Sequence, residues 1–473
     1  MAKDKKHSIG LMLPNVSEAH AERLGKASLG LVFLVATLVR MAFVVGYPTI
    51  HGGDAAARLA HADAFVLGYQ LPLPQAFVVL GKAISDDPIV ARLIFSAWGG
   101  VLASGLAALT WAYAGRGSAT AVGLLASVDP LLIHYSIVPY QEPVAYGLAV
   151  WAFYLATRRR HILASVLMAS ACASRYEAWL LLPAFFVLTR SRVAILISAI
   201  PAVAWMLWWQ GLGPAGLYVL DIDLHARRLS RVVFLGRKLS EYEPLAILML
   251  ALAGAIAIMI VGRRGRIWLA YVGIVMGVIV AFGHEYPPGS GLVSERLLHF
   301  PVLAALLLAS LTLVRLSGIG RLGAGGAFVL MALFIVRDLS FERRLLRAAA
   351  VEPDLALARE IATAIEGVRR SNECVTIIAP AVRRELLDAY VAKVGAAFGD
   401  QEQARKNAAS LASTSPDRDR IASHLRAPPG TVREAVGCPL QVVVDGVDPE
   451  GGRTGRVTVV AAGTRRAILY RTH

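Results

Sequence analysis

The sequence predicts an all-α polytopic membrane protein, with about 11 transmembrane helices and a small C-terminal α/β domain outside the cell. Of the 473 residues, 56% are hydrophobic and only 17% are charged, with a mean hydropathy of +0.57; a soluble chain usually has about 25% charged residues. The net charge of +15 lies largely in short clusters between apolar runs. That is the positive-inside pattern of a membrane protein and not a nucleic-acid-binding face.

Residues 1–26 are basic and polar, and we expect them to stay in the cytoplasm. They contain no apolar run with a small-residue cleavage site, which excludes a secretory signal peptide. The transmembrane domain is predicted at residues 27–337. The extracytoplasmic α/β domain is predicted at residues 338–473.

The first span is predicted at residues 27–47 and contains Arg40. Two alternatives are open for this arginine: it snorkels to an interface, or it faces a polar cavity and steadies an anion or a carboxylate. Residues 75–84 are too short to span the bilayer and are predicted to form a helix on the outer surface.

The remaining spans follow from apolar runs between charge clusters. Residues 161–188 carry the polar stretch SRYE (174–177) and basic residues at both ends, which indicates two short helices that meet at an outer apex. Residues 211–243 are predicted to be an outer loop, although it is unusually basic. The other spans are predicted at residues 89–113, 119–133, 144–156, 193–209, 244–261, 267–282, 300–314 and 323–336.

The final third of the chain changes to a charged composition with short β-branched runs. Strands are predicted at residues 375–378, 440–444, 456–460 and 467–470, and helices at 353–370 and 381–397. Because the span count is odd and the N-terminus is inside, this part is expected outside the cell. Only there could Cys374 and Cys438 form a disulfide.

Polar residues of the predicted outer loops are the candidates for a functional site. A carboxylate on a glycine-flanked loop, Asp54, could accept a proton from an acceptor hydroxyl, and arginines bind phosphate oxygens in bidentate fashion. The phosphate-binding candidates are Arg227, Arg228, Arg231 and Arg296. The other candidates are His51, Arg58, Asp63, Tyr140, Glu142, Arg175, Glu177, His284, Glu285, Glu295 and His299.

Each main candidate also has a structural alternative. Asp54 could cap a helix that starts at Ala55, Asp63 could face solvent, and Glu142 before Pro143 could simply open a helix. Arg175 and Glu177 could form an ion pair at the apex. The histidine spacings fit no standard metal motif, so ordinary polar histidines are favoured; no cofactor is indicated, and a divalent metal is left open.

Four stretches carry a resemblance to a known family: HGGD (51–54), PLLIHYSIVPYQEP (130–143), SRYEAW (174–179) and SERLLHFP (294–301). Over about residues 29–336, the chain resembles the GT-C membrane glycosyltransferases. It is similar to the protein O-mannosyltransferase and aminoarabinose-transferase branches. The resemblance implies that Asp54 takes the position of the catalytic base and Glu142 that of the second-loop acid. The tandem Asp-Glu of the O-mannosyltransferases is absent, since Ala55 follows Asp54, so the branch stays open.

This resemblance predicts an enzyme of the cell membrane that transfers a sugar from a polyprenyl or dolichyl phosphate to a glycan, lipid or protein acceptor. The alternative from another class is a transporter or flippase of a lipid-linked or anionic solute. Transporters usually have symmetric halves and polar groups near the midplane, whereas the polar clusters here lie at the outer boundary. A membrane scaffold that displays the C-terminal domain is the third alternative.

Overall fold

The computed structural model describes most of the predicted transmembrane domain and the four strands. It covers residues 18–47, 55, 58–59, 62, 65, 70–85, 87–211, 228–261, 269–276, 278, 295–318, 321–350, 375–378, 440–444, 456–462 and 465–471. Helix α1, Glu18–Gly46, contains the first predicted span. Helix α2, Pro72–Ile84, begins three residues before the predicted surface helix. This boundary was wrong because proline is well tolerated in the first turn of a helix.

Helix α3, Pro88–Val128, contains the second predicted span and most of the third. The two halves meet at Gly115, whose φ of 81° lies in the left-handed region that glycine adopts readily. Gly115 thus lies between the two spans that are predicted at residues 89–113 and 119–133. The third span ends at Val128 and not near residue 133, because Asp129 then caps the short helix α4, Pro130–His134.

The next helices form two hairpins around the SRYE stretch. Helix α5 spans Glu142–Thr157 and helix α6 spans His161–Cys172. A 3-10 helix, Tyr176–Leu181, leads into helix α7, Leu182–Thr189. The prediction of two short helices with a polar apex is confirmed. Helix α8, Arg192–Gly211, follows.

The basic stretch after α8 was predicted as a loop, and that prediction was wrong for its second half. Residues Arg228–Tyr242 form helix α9, in which Arg237 and Lys238 both pair with Glu241, at 3.2 and 2.9 Å. Pairs at this spacing lie on one helix face and support it. Helix α10, Leu245–Val261, follows after a bend of 110°.

A 3-10 helix at Glu295–Leu298 opens helix α11, His299–Ser317. Helix α12 then runs over Arg321–Ala350, 30 residues, and passes through the predicted domain boundary at 337/338. Asp338 and Glu342 beyond that boundary are buried, and Leu346 packs against Val44, Ile133 and Ile137. The division into domains itself stays a prediction.

Length and composition identify four helices of the described part as candidates to cross a membrane. They are residues Ala27–Gly46, Pro88–Val128, Arg296–Ser317 and Gly323–Leu346. The bent pair Val233–Tyr242 and Leu245–Met259 is a fifth candidate if it forms one span. The total of about 11 spans stays a prediction.

The four predicted strands are confirmed, and they form one sheet in the order β1-β2-β4-β3. They are β1 Val375–Ile378, β2 Leu440–Val444, β3 Arg456–Ala462 and β4 Arg465–Arg471. Strands β1 and β2 are parallel, and the other two pairs are antiparallel. The helices predicted beside this sheet and both cysteines of the predicted disulfide lie outside the described residues, so the α/β assignment stays a prediction.

Arg40 does not snorkel to an interface. It is completely buried and donates to the carbonyl oxygens of Ala126 and Ser127 at 3.1 and 3.0 Å and to Ser136 Oγ at 2.7 Å. A cation at a helix C-terminus satisfies carbonyls that have no partner within the helix. Gly99 lies so close to Arg40 that a Cβ at this position would collide with the Arg40 side chain. Arg40 therefore joins α1 to the end of α3.

Candidate functional site

Three charged side chains meet where the N-terminus of α5 faces the apex between α6 and α7. Glu142 is the first residue of α5 and its side chain is completely buried. Arg175, 4% exposed, donates from Nη1 to Glu142 Oε1 and from Nη2 to Glu177 Oε1, the latter at 2.6 Å. Both structural alternatives thus hold at once: Glu142 opens a helix, and Arg175 and Glu177 form an ion pair.

Arg296 joins this group from the 3-10 helix before α11. Its Nε lies 3.8 Å from Glu142 Oε1, and its side chain is 22% exposed. The guanidinium carbon lies 5.4 Å from the ring centroid of Tyr140, a cation–π contact. Glu142 is therefore shared by two arginines, of which Arg175 is buried and Arg296 reaches the surface. We call Glu142, Arg175, Glu177 and Arg296 the charged cluster.

Aromatic rings and a histidine line one side of the charged cluster. His299 is buried, and its Nδ1 lies 2.9 Å from the carbonyl oxygen of Arg296. Its ring stacks on Tyr146 with centroids 6.0 Å apart and meets Tyr135 edge-on at 5.0 Å. Tyr135 in turn contacts Tyr140 at 4.9 Å. Packing of this kind fixes the backbone from which Arg296 projects.

Arg58, from the stretch predicted as the first outer loop, contacts the same place. It is buried and donates from Nη2 to Gln141 Oε1 at 2.9 Å, one residue before Glu142. Gln75 of α2 donates to the Arg58 carbonyl oxygen at 3.1 Å. Arg58, four residues after Asp54 in the chain, is therefore tied to the start of α5.

The electrostatics of the charged cluster favour a permanently ionised Arg175. Burial disfavours its charged form, but the carboxylates of Glu142 and Glu177 outweigh burial and raise the pKa of Arg175 above its usual value. Two buried polar atoms, Glu142 Oε2 and Arg175 Nε, have no hydrogen-bond partner among the described residues. Such atoms are costly to leave unpaired, at about 1–3 kcal/mol each.

A second group of buried carboxyls lies beyond Tyr135. Asp129 is buried between α3 and α4 and accepts from the backbone N–H of Leu132 at 2.8 Å. Burial raises the pKa of Asp129 and also that of Glu243, which lies at the bend between α9 and α10. His134 Nδ1 lies 3.3 Å from Glu342 Oε1, and the His134 ring contacts Tyr135. Tyr135 thus lies between the charged cluster and this second group of buried carboxyls.

Several predicted site residues lie outside the described part of the chain. For Arg228, Arg231 and Glu295 the structure describes the helix and not the side chain. Their roles, like those of the whole predicted site, stay proposals. Among the described residues, no group of three or more His, Cys, Asp or Glu is placed to hold a metal ion. The residues outside the described part are His51, Asp54, Asp63, Arg227, His284 and Glu285.

Three contributors were missed by the sequence analysis. Tyr146, which stacks on His299, looks in the sequence like one more aromatic residue of an apolar helix. Gln75 and Gln141 bind Arg58 across separations of 17 and 83 residues. The only available signal was the position of Gln141 directly before the acidic candidate Glu142.

Solved structures share the architecture of this chain. The structure of ArnT from Cupriavidus metallidurans in the apo state matches with a TM-score of 0.59 at 14% identity, over 96% of this chain and 98% of ArnT. ArnT bound to undecaprenyl phosphate also gives 0.59, at 13% identity and the same coverage. The archaeal oligosaccharyltransferase AglB from Archaeoglobus fulgidus, in complex with an inhibitory peptide and a dolichol-phosphate, gives 0.52 at 13% identity, over 89% of this chain and 69% of AglB.

This chain has the GT-C fold. Both neighbours have that fold, and together with the apolar helices it makes the chain an integral membrane protein. No protein-family model and no curated protein matches the sequence. In the GT-C fold of this chain, the charged cluster is built from the start of α5, the apex after α6 and the start of α11.

Proposed function

We propose that this chain is an inverting glycosyltransferase, which moves a sugar from a polyprenyl-phosphate donor to a glycan, lipid or protein acceptor at the outer face of the membrane. The observation that carries the proposal is the charged cluster, in which two arginines share one buried carboxylate within a GT-C fold. Neighbours of this fold bind undecaprenyl phosphate or dolichol-phosphate. A sugar joined to a polyprenol through one phosphate, as a phosphodiester, is thus the donor class that fits the cations.

In the proposed reaction, the acceptor hydroxyl attacks the anomeric carbon from the face opposite the phosphate. The new C–O bond forms as the bond to the phosphate oxygen breaks, and the configuration inverts. The proton of the hydroxyl passes to the carboxylate of Asp54 as general base. Polyprenyl phosphate leaves with the electron pair of the broken bond.

The charged cluster supplies the positive charge that stabilises the leaving phosphate. Arg296 is partly exposed and held over Tyr140, so it is placed to meet the phosphate that gains negative charge as it leaves. Arg175 is already paired with two carboxylates, and we assign it to positioning Glu142. The unpartnered Glu142 Oε2 and Arg175 Nε are an acceptor and a donor that a bound substrate could satisfy. Arg227, Arg228 and Arg231 remain further candidates for the phosphate.

The test uses the purified full chain in proteoliposomes, a radiolabelled polyprenyl-phosphate sugar and a mixture of membrane lipids and proteins as acceptors. We expect label to move to an acceptor. If label changes leaflet and stays on the donor, the chain is a flippase and not a transferase.

The decisive variant is Asp54→Asn, which is nearly isosteric. General base catalysis is typically worth about 10²–10⁴-fold, so kcat should fall by that factor while donor binding and thermal stability stay near wild type. The control is Asp63→Asn, which should have a far smaller effect. If Asp54→Asn unfolds the protein or leaves kcat within about threefold of wild type, Asp54 is a helix cap and not the base.

A further inference from the structure

A polar cavity lies at the end of α5 that is remote from the charged cluster. Glu142 opens α5, and Arg158 follows directly after Thr157, its last residue. At 1.5 Å per residue, the separation along the helix is about 24 Å, close to the thickness of a bilayer core. The cavity is therefore separate from the proposed transfer site.

The cavity is built around Arg158. It has a volume of about 280 Å³ and is lined by Trp111, Ala112, Thr157 and Arg158. The guanidinium carbon lies 5.6 Å from the ring centroid of Trp111 and 5.4 Å from that of Tyr154. Within the described residues, Arg158 has these two aromatic contacts and no carboxylate partner. Its N–H donors can therefore bind an anion.

Two arginines at this end of the bundle have a backbone conformation that is unfavourable for residues other than glycine. Arg159 and Arg190 have φ of 59° and 52°, and they are the only non-glycine residues of the described part with positive φ. Glycine or asparagine adopts this region more easily. Because α6 returns to Arg175 at the charged cluster and α7 leads away from it, both turns lie at the end of the bundle opposite that cluster. Arg159, directly after Arg158, adds positive charge beside the cavity, and Arg190 adds positive charge to the same end of the bundle.

Exposed apolar side chains follow the cavity-lining residues closely along the chain. Tyr113 and Ile162 are 67% and 69% exposed, and Leu163 is 49% exposed. Exposed apolar side chains next to arginines mark the boundary between the hydrocarbon core and the headgroups. An inorganic anion gains nothing from this apolar rim, whereas a lipid can place its headgroup in the cavity and its acyl chains along the rim.

We propose that the cavity around Arg158 binds the phosphate headgroup of an anionic membrane phospholipid. The planar guanidinium binds two phosphate oxygens through its edge, while Trp111 and Tyr154 contact the guanidinium. Basic pockets between transmembrane helices are suited to such headgroups. This site is independent of the proposed transfer reaction.

The test measures the affinity of the full chain for phosphatidylglycerol by native mass spectrometry in detergent, with no polyprenyl phosphate present. The variants are Arg158→Gln and Arg158→Lys, and the matched control is Arg192→Gln, an exposed arginine at the start of α8. An arginine at a membrane surface contributes about 1 kcal/mol to anionic-lipid binding, so Arg158→Gln should weaken binding about fivefold. Arg158→Lys, which keeps the charge and loses the planar fork, should lie between Arg158→Gln and wild type.

Three results would overturn the proposal. Equal losses in Arg158→Gln and Arg192→Gln would mean general charge attraction, and equal retention of phosphatidylcholine and phosphatidylglycerol would mean no headgroup selectivity. Displacement of the lipid by inorganic phosphate would mean a site for free anions. Binding is measured only on folded protein, and Arg158→Lys preserves the charge if Arg158→Gln fails to fold.

Discussion

Glu142 and Arg175 show how single charges are tolerated inside this molecule. Each is almost fully buried, and each supplies the opposite charge that compensates the other. Removing one member of a buried pair is therefore more damaging than removing an exposed partner, since the remaining charge is left without compensation.

This difference predicts unequal effects of two similar substitutions. Glu142→Gln should lower the melting temperature and the transfer rate more than Glu177→Gln, because the Glu177 side chain is 20% exposed and water can replace it. Loss of a buried partner costs about 3–5 kcal/mol, and an amide that still accepts one hydrogen bond should cost less than that. Thermal unfolding and transfer assays on both variants test this prediction. An equal loss of melting temperature and transfer rate in both variants would contradict the buried-pair interpretation.

Asp129 predicts a pH dependence of stability. Burial raises its folded-state pKa above the unfolded value of about 3.9, so the stability present at low pH is lost as pH rises through the raised pKa. Asp129→Asn keeps a good helix cap and removes the charge. The melting temperature of this variant should fall less than that of wild type as the pH is raised above about 3.9, the unfolded pKa.

The matched control is Asp87→Asn. Asp87 caps α3 through its bond from the Ile89 N–H at 2.9 Å, at an exposed position. Its substitution should leave the slope of melting temperature against pH unchanged. Equal slopes for wild type and both variants would show that Asp129 does not govern the dependence.

At the scale of elements, close packing of α10 against α11 depends on one glycine. A Cβ at Gly254 would lie 2.6 Å from the carbonyl oxygen of Leu308 and 3.0 Å from Thr312 Oγ1. The same contact is bridged by Thr312, which donates to the Leu250 carbonyl oxygen at 2.9 Å. The Leu308 carbonyl belongs to the backbone, which cannot move aside as a flexible side chain can. A side chain at position 254 would therefore force α10 and α11 apart.

Gly254→Ala should therefore destabilise the protein by about 1–3 kcal/mol, the usual cost of overpacking. Gly236→Ala is the control, because nothing lies within 4 Å of a Cβ there and alanine favours a helix by about 0.5–1 kcal/mol. Denaturation of both variants in the same detergent measures the difference. A stabilised Gly254→Ala variant would mean that α10 and α11 do not approach so closely.

Local sequence patterns predicted the positions of the helices and strands better than they predicted the contacts between them. Alternating β-branched residues located the four strands within two residues, and a basic-apolar switch located the apex at Arg175. Helix α9 was missed because its charges resemble a loop until the pairs with Glu241 are seen. For the site, the sequence supplied Glu142 and Arg175 separately; their pairing across 33 residues depends on how α5 and α6 pack, which no local pattern contains.

For the whole molecule, the arrangement across the membrane is the main prediction. Arginines after alternate spans predict the N-terminus inside and the C-terminal part outside. A cysteine introduced by Gly451→Cys should react with a membrane-impermeant reagent in intact cells. Reaction only after lysis would overturn this prediction and place Asp54 and the C-terminal part on opposite sides.

Arg40 has a consequence for the order in which the protein is made. An arginine in the centre of an isolated span costs about 2.5–3.5 kcal/mol on insertion, and the carbonyl of Ser127 that accepts from it lies 87 residues later in the chain. At about 5–20 residues per second, the ribosome needs roughly 4–17 seconds to supply that partner. During this interval Arg40 bears that cost without the Ser127 carbonyl, and this hydrogen bond forms only once the end of α3 has been made.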